Sequence, residues 1–411
     1  MQSKQSVLQQ TRSAGLGLLI VILSLGAATF AQSSATQLAS VVYVESNRPD
    51  QNSVLAFVRN GDGTLTQIGE FATGGKGVFD LSLQLGPFDS DQEIITNGQH
   101  DLLFAVNPGS DTVAVFRIQT DGSLVPVSGS PFPSGGSNPV SLGLAADKLI
   151  VVNKAFDPAR PFLKMPSYTV FQILPNGQLS EELSAVNAPP KSAPSQAAIS
   201  PDKRLVFDAQ FLAGFLKTFF LQPDGTLSLG ERVAPPTLPG STTQPLPLGL
   251  WSHPKQPILY VGLVNVSMVG VYQFNHTGHL QFVTAVPDSG AGVCWIRTND
   301  EGTRLYASNT GDRSISVFDT INPLNPVEIQ HLQLQGEGNQ FEIELDPSGR
   351  FLYAISQRAS ASTPLGQGNT LHVLTIDPAT GLVAEPNSPL AITGPNGVRP
   401  QGLAVVQPLA N

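Results

Sequence analysis

LLFAVNPGSDTVAVFRIQTDGSL, residues 102–124, decides how this chain folds. It reads as an apolar strand, a small polar turn, a second apolar strand carrying an aromatic near its end, a tight Asp-Gly turn, and the start of a third strand. RLYASNTGDRSISVFDT (304–320) repeats the pattern, and about seven copies can be traced through the 411 residues. A unit of roughly 50 residues built only from strands cannot bury its own apolar faces and must stack on its neighbours, which is the signature of a β-propeller.

In each unit the segment matching 102–107 is a second strand, with counterparts at 41–45, 148–153, 204–210, 258–262, 304–309 and 351–357. Third strands are expected at 53–59, 112–118, 168–174, 215–221, 269–274, 314–319 and 370–376. They carry Phe57, Phe116, Phe171, Phe219, Tyr272 and Phe318, with His372 in the corresponding place of the last. Val, Ile, Phe and Tyr enrichment suits a pleated, buried surface. The turns that follow read GDGTL (61–65), TDGSL (120–124), PNGQL (175–179), PDGTL (223–227), HTGHL (276–280) and ATGLV (379–383). The sixth unit has NPLNP (322–326) instead. Glycine after Asp or Asn supplies the positive φ of a tight hairpin, so these Asp residues read as turn formers and not as calcium ligands.

First strands precede a second family of turns, in DQEIITNGQHD (91–101), NPVSLGLAADK (138–148), APSQAAISPDKR (193–204), LPLGLWSHPKQP (246–257), GVCWIRTNDEGTR (292–304) and QFEIELDPSGR (340–350). That makes six. The seventh is RPQGLAVVQ (399–407), at the far end of the chain. The expected fold is therefore an all-β, seven-bladed propeller of four-stranded blades, its ring closed by the C-terminal strand joining the N-terminal blade, which removes an open sheet edge.

Composition agrees. Charged residues are 13% and hydrophobic residues 41%, with 39 glycines and 34 prolines. Residues 1–31 read as a secretory signal: Lys4 and Arg12, then an uncharged run from Gly15 to Phe30, then small residues at Gly26, Ala28 and Ala31. An uncleaved anchor is the alternative. Residues 32–40 form a short linker, 41–407 the propeller and 408–411 a tail. Formal net charge is −9, and removing the leader's two cations makes it more negative. An acidic chain without Lys/Arg runs argues against nucleic-acid and anionic-membrane partners. The single Cys294 excludes an internal disulfide. The expected product is exported, periplasmic or extracellular, monomeric, and free of the membrane once the leader is gone.

From Val41 to Val406 the pattern resembles the seven-bladed lactonase-like propellers, relatives of bacterial 6-phosphogluconolactonase and fungal carboxymuconate cyclase. ISPDKRLVF (199–207), GAGVCWIRTNDEGTRLYASNTGDRSISVF (290–318) and the repeated Asp-Gly-x-Leu turns carry the resemblance. The stretch around Cys294 and Trp295 is most similar to the exported bacterial branch. The resemblance implies a catalytic His before the S-P-D turn, where this chain has Ala193-Pro194-Ser195-Gln196. In the next blade it implies an Arg-His pair and a loop carboxylate, where this chain has Pro245-Leu246-Pro247-Leu248 and Gly262-Leu263-Val264-Asn265. A lactonase needs an acid or base and a cation for an anionic substrate. Those residue types are absent at the family's positions.

Other chemistry is thinly represented. His276 and His279 flank a hairpin turn, His100 and His253 lie in outer turns, and no zinc set converges; no metal or cofactor is expected. Cys294 reads as a small buried hydrophobe. Propeller ligands usually bind where first strands begin. Those starts offer Gln92, Glu93, Asn138, Gln196, Trp295, Gln340, Glu342, Arg399 and Gln401 as ligand-binding candidates, with Glu93, Glu342 and Arg297 as candidates for catalysis. The same residues also suit a channel of ordered water. Three readings stay open: a non-catalytic propeller binding a small polar molecule, a glycan or a protein at its channel face; a lactone hydrolase with a site rearranged around Glu93, Glu342, Gln196, Arg297 and Arg399; and an interaction scaffold. The long insertions 74–91, 156–165, 235–245 and 360–368 could cap the mouth or present a partner surface.

Overall fold

A computed structural model describes residues 40–78, 90–157, 160, 163–357, 368–387, 389–392 and 399–407. The leader, nearly all of the linker, the tail, and much of the insertions 74–91 and 360–368 lie outside these residues, as do four positions of 156–165.

Seven antiparallel sheets follow one another along the chain. Blade 1 orders as Leu65–Ala72, Ser53–Arg59, Val41–Glu45 and, innermost, Leu403–Val406. Blades 2 to 7 begin with inner strands Ile94–Thr96, Pro139–Ala145, Ala198–Ile199, Pro247–Ser252, Val293–Thr298 and Asn339–Leu345, and each runs outward in chain order. The ring closes through four residue pairs: Val41 with Val406, Val42 with Val405, Tyr43 with Ala404 and Val44 with Leu403. Glu45 N extends the seam by donating to Gly402 O, and Gln401 N by donating to Glu45 O.

The core lies between blades. The third-strand side chains Phe57, Phe116, Phe171, Phe219, Tyr272, Phe318 and His372 are all buried. Burying one large apolar side chain stabilises by roughly 1.5–3 kcal/mol, so this repeated position is a main source of cohesion. Outer strands behave oppositely: Leu65–Ala72, Leu179–Asn187 and Val327–Gln333 are exposed or half-buried apart from Leu179, and only Val327–Gln333 alternates throughout. The hairpin aspartates do turn chemistry. Asp121 Oδ1 accepts from Ser123 N at 2.9 Å and Ser123 Oγ at 2.6 Å, and Gly122 has φ +83°.

Two blades depart from the four-stranded expectation. In blade 2 the outer strand is split into Leu124–Pro126 and Phe132–Pro133, and in blade 7 into Val383–Ala384 and Leu390–Ala391. In blade 2 Pro126, Pro131 and Pro133 remove ladder donors. The inner strand of blade 4 shrinks to two residues because a side chain replaces the ladder: Asp208 Oδ1 accepts from Ser195 N at 3.0 Å and Gln196 N at 3.1 Å.

The inner strands of blades 5, 6 and 7 each carry a bulge, at 247–250, 293–296 and 340–343. A bulge inserts an unpaired residue and re-aims side chains. Cys294 and Trp295, although adjacent in sequence, therefore both enter the apolar cluster shared with Phe341 and Ile343. The inner strands also approach closely: a Cβ on Gly249 would lie 1.8 Å from the Cys294 carbonyl oxygen, a spacing only glycine permits.

Candidate functional site

The inner strands send polar side chains to the ring axis, where they close the channel. Arg297 of blade 6 reaches across to Asp91, which precedes the inner strand of blade 2. Nη1 meets Oδ2 at 2.7 Å and Nη2 meets Oδ1 at 2.8 Å. The third edge of the guanidinium, Nε, donates to Glu344 Oε2 of blade 7 at 2.9 Å. Its flat face lies 4.4 Å from the Trp251 ring of blade 5, whose Nε1 donates to Thr298 Oγ1 at 3.0 Å. Gln196 of blade 4 completes the plug: Nε2 donates to Asp91 Oδ2 at 3.1 Å, Gln92 Oε1 at 3.0 Å and Leu250 O at 2.9 Å, while Leu250 N donates to its Oε1 at 2.7 Å. Arg297 and Asp91 are buried, at 1% and 0% side-chain exposure. Burial alone would lower the Arg297 pKa, but Asp91 and Glu344 outweigh it and hold the guanidinium charged.

Beside this plug is a pair of carboxyl groups. Glu93 of blade 2 and Glu342 of blade 7 lie within hydrogen-bond reach of each other. Gln401 Nε2 donates to Glu93 Oε1 at 2.6 Å, and Leu403 N donates to Glu342 Oε2 at 3.0 Å. Among the described residues no donor reaches Glu93 Oε2 or Glu342 Oε1. Burial pushes both carboxyls well above the ordinary carboxylate range, and proximity to each other and to Asp91 raises Glu93 further. The two carboxyls are coupled, so their protons come off in two steps that belong to the pair. Glu45, also buried, is raised by desolvation, against the Asn52 Nδ2 hydrogen bond of 2.6 Å.

Where the inner strands end, the plug forms the floor of two cavities. One of ≈350 Å³ is lined by Gln92, Thr96, His100, Arg297, Asp300 and Glu344 among others, from blades 1, 2, 6 and 7. The second, ≈180 Å³, lies among Gln92, Ile95, Leu144, Ile199, Trp251 and Ser252, from blades 2 to 5. Gln92 and Ile95 border both. A larger groove of ≈530 Å³, with Lys148, Asp202, Phe220 and His276, lies away from these inner-strand polar groups.

Of the sequence candidates, the structure brings together Gln92, Glu93, Gln196, Arg297, Glu342 and Gln401. Four are placed elsewhere. Trp295 is wholly buried in the core cluster, turned there by the bulge. Gln340 is bound within its own blade, donating to Ile355 O and accepting from Ser356 Oγ. Arg399 Nε donates to Gln357 Oε1 at 2.8 Å beside the closure seam. Asn138 sits in the turn joining blades 2 and 3, its N–H given to Asp111 Oδ1. The cavities also lie at the end of the inner strands opposite to the expected mouth, and His100, assigned to an outer turn away from the channel, lines one of them. Asp91, Glu344, Glu45 and Trp251 were missed. The available signal was charge: a lone Arg on an inner strand requires a buried carboxylate partner.

No His/Cys/Asp/Glu group suited to a metal ion occurs among the described residues. Cys294 is buried and not in a disulfide. No helix among the described residues is long and apolar enough to cross a membrane.

Solved structures share the architecture. A 6-phosphogluconolactonase candidate of Bacteroides uniformis is 16% identical, with a TM-score of 0.68 over 90% of this chain and 99% of that one. A periplasmic gluconolactonase of Pseudomonas aeruginosa is 17% identical, with a TM-score of 0.70 over 90% of this chain and 100% of that one. A hypothetical selenium-binding protein of Sulfolobus tokodaii is 10% identical, with a TM-score of 0.62 over 91% and 95%. At such identities the likeness concerns the fold alone. No curated protein matches the chain. A family model described as lactonase, 7-bladed beta-propeller, matches residues 164–389, more than half of the sequence, and with seven closed blades in the structure the chain belongs to that lactonase family.

Proposed function

We propose that this protein is an exported member of the lactonase propellers that binds a small hydroxylated ligand at the channel mouth floored by Gln92 and Arg297. The observation that carries the reading is the axial plug, which leaves a polar, enclosed floor beneath two cavities that together touch all seven blades. Concave sites with a few convergent polar groups are the usual form of small-molecule sites. The His and the Arg-His pair of catalytic relatives are not retained at their positions, which favours binding without turnover. A glycan end or a protein loop presenting the same hydroxyl or amide groups is compatible with this mouth. The leader pattern of residues 1–31 supports export, as does the periplasmic character of the Pseudomonas aeruginosa neighbour.

The Glu93–Glu342 pair favours a second reading, lactone hydrolysis at a rearranged site. A carboxyl that burial keeps protonated near neutral pH is a group that general acid chemistry uses. Both groups are buried, at 3% and 0% exposure, so this reading also requires the substrate to reach them.

A hydrolysis assay on the purified mature chain separates the two. With glucono-1,5-lactone and carboxymuconate lactone, the binding reading expects no turnover above buffer, together with a ligand-dependent rise in melting temperature. Turnover that is lost in both Glu93→Gln and Glu342→Gln would establish the hydrolase instead. Neither turnover nor a melting shift would remove both.

A further inference from the structure

We propose that the channel mouth selects against charge: its ligand is an uncharged, polyhydroxylated molecule, read by Gln92, and phosphorylated or carboxylated analogues are rejected. This rests on the ligand-binding reading above and names the substrate class of that site.

A site for a phosphate or carboxylate ester needs a cation with donors to spare. Arg297 is the cation on the floor of the larger cavity, and all three of its edges are engaged. Asp91 takes Nη1 and Nη2 in a bidentate pair, Glu344 takes Nε, and Nη1 also donates to Ile296 O at 3.0 Å. Its face is covered by Trp251. The remaining charged groups on that wall are acidic, Glu344 and Asp300. The titratable His100 ring is held below its ordinary range by burial, so it adds no positive charge at neutral pH. An anion entering here meets net negative potential without a free donor fork.

Gln92 has the opposite character. It has φ +66°, a conformation that non-glycine residues seldom adopt. Such backbone strain, held in place by its surroundings, clusters at ligand-contact positions. Gln92 N accepts this geometry while donating to Asp91 Oδ1 at 2.9 Å, and Gln92 O accepts from Leu142 N at 2.9 Å. Its carboxamide stands between the two cavities with Oε1 bound to Gln196. A neutral amide at that junction offers N–H donors suited to hydroxyl and lactone oxygens.

The test is isothermal titration of the mature chain at pH 7 with glucose, glucose 6-phosphate and glucuronate, which share a hydroxylated ring and differ in the group at one carbon. Glucose is expected to bind at least ten-fold more tightly than either anion. Gln92→Ala should weaken glucose ten-fold or more. Glu344→Gln, a change at a partly exposed position, should remove a negative charge from the wall while its amide oxygen still accepts from Arg297 Nε, and improve both anions ten-fold relative to glucose, with a cooperative melting curve confirming the fold. Anions binding as tightly as glucose, or Glu344→Gln leaving the ratio unmoved, would overturn charge selection while ligand binding stood. Failure of all three sugars to bind at millimolar concentration would overturn the ligand-binding reading itself.

Discussion

Asp91 and Arg297 belong to blades 2 and 6, on opposite sides of the ring, yet their side chains form two parallel hydrogen bonds of 2.7 and 2.8 Å across the axis. The propeller is therefore tied through its centre as well as around its circumference. Removing one partner of a buried ion pair strands the other charge, which costs about 3–5 kcal/mol. Arg297→Met is expected to lower the melting temperature strongly. Asp91→Leu added to Arg297→Met should recover most of the loss, because the fully buried Asp91 charge is then no longer stranded and only the partly exposed Glu344 lacks its cation. Calorimetric melting of both variants checks this, and a double variant as unstable as the single one would contradict it.

Ring closure rests on a four-residue strand whose Leu403, Val405 and Val406 are buried. At roughly 1.5–3 kcal/mol per buried large side chain, deleting residues 400–411 should cost on the order of 5 kcal/mol or more and expose the edge of Val41–Glu45. The expected outcomes are a large drop in melting temperature and concentration-dependent association. A truncated chain that melts with the intact one would disprove the closure.

The buried Glu93 and Glu342 carboxyls link stability to pH. Both carboxyls are raised above their ordinary value of 4.5 in the folded protein, so the folded state binds more protons than the unfolded chain above that pH. Their contribution is complete below the unfolded value and is lost as pH rises through the folded one. Glu45, raised by burial, and Asp208 and Asp288, pushed up to about 6, act with the same sign. Stability should fall between pH 5 and pH 8. Glu342→Gln should flatten that slope and raise the melting temperature at pH 8. A melting temperature that climbs over this range would refute the linkage.

The hairpin aspartates should be individually minor and indifferent to calcium. Asp121 is fully exposed, and the Ser123 donors that bond it lower its pKa. Asp121→Ala should leave the melting temperature nearly unchanged, because the two Ser123 hydrogen bonds it loses are solvent-exposed and readily replaced by water. Neither calcium nor a chelator should move the melting curve of the parent chain. A calcium-dependent shift that disappears in the variant would assign these turns to metal binding.

A core position should behave differently. Phe116 is 1% exposed and packs with Tyr43, Ala114 and Leu124. Phe116→Ala should destabilise by about 3–5 kcal/mol, read from denaturant unfolding. A loss below 1 kcal/mol would mean that the third-strand aromatics do not carry the inter-blade core.

Much of this architecture was legible in the order of residues. Strand alternation, the Asp-Gly turns and a stray first-strand motif at 399–407 are local signals, and together they required seven blades and a closure between the chain ends. Five of the seven second strands match the sequence reading to the residue, and the others shift by one. Local patterns also marked which inner strands carry polar groups. They could not say which of those groups meet. Period-two alternation fails at a bulge, so Trp295 turned into the core where the channel was expected, while Arg297 two residues on reached the axis.

The chain order alone thus determined the repeat, its count and the seam, because hairpin geometry and strand amphipathicity act over a few residues. Only the closed ring decided that Asp91 would meet Arg297 and Glu93 would meet Glu342, partners separated by more than 200 positions. Those contacts depend on the radius and twist of seven packed blades, quantities that no short stretch of sequence encodes.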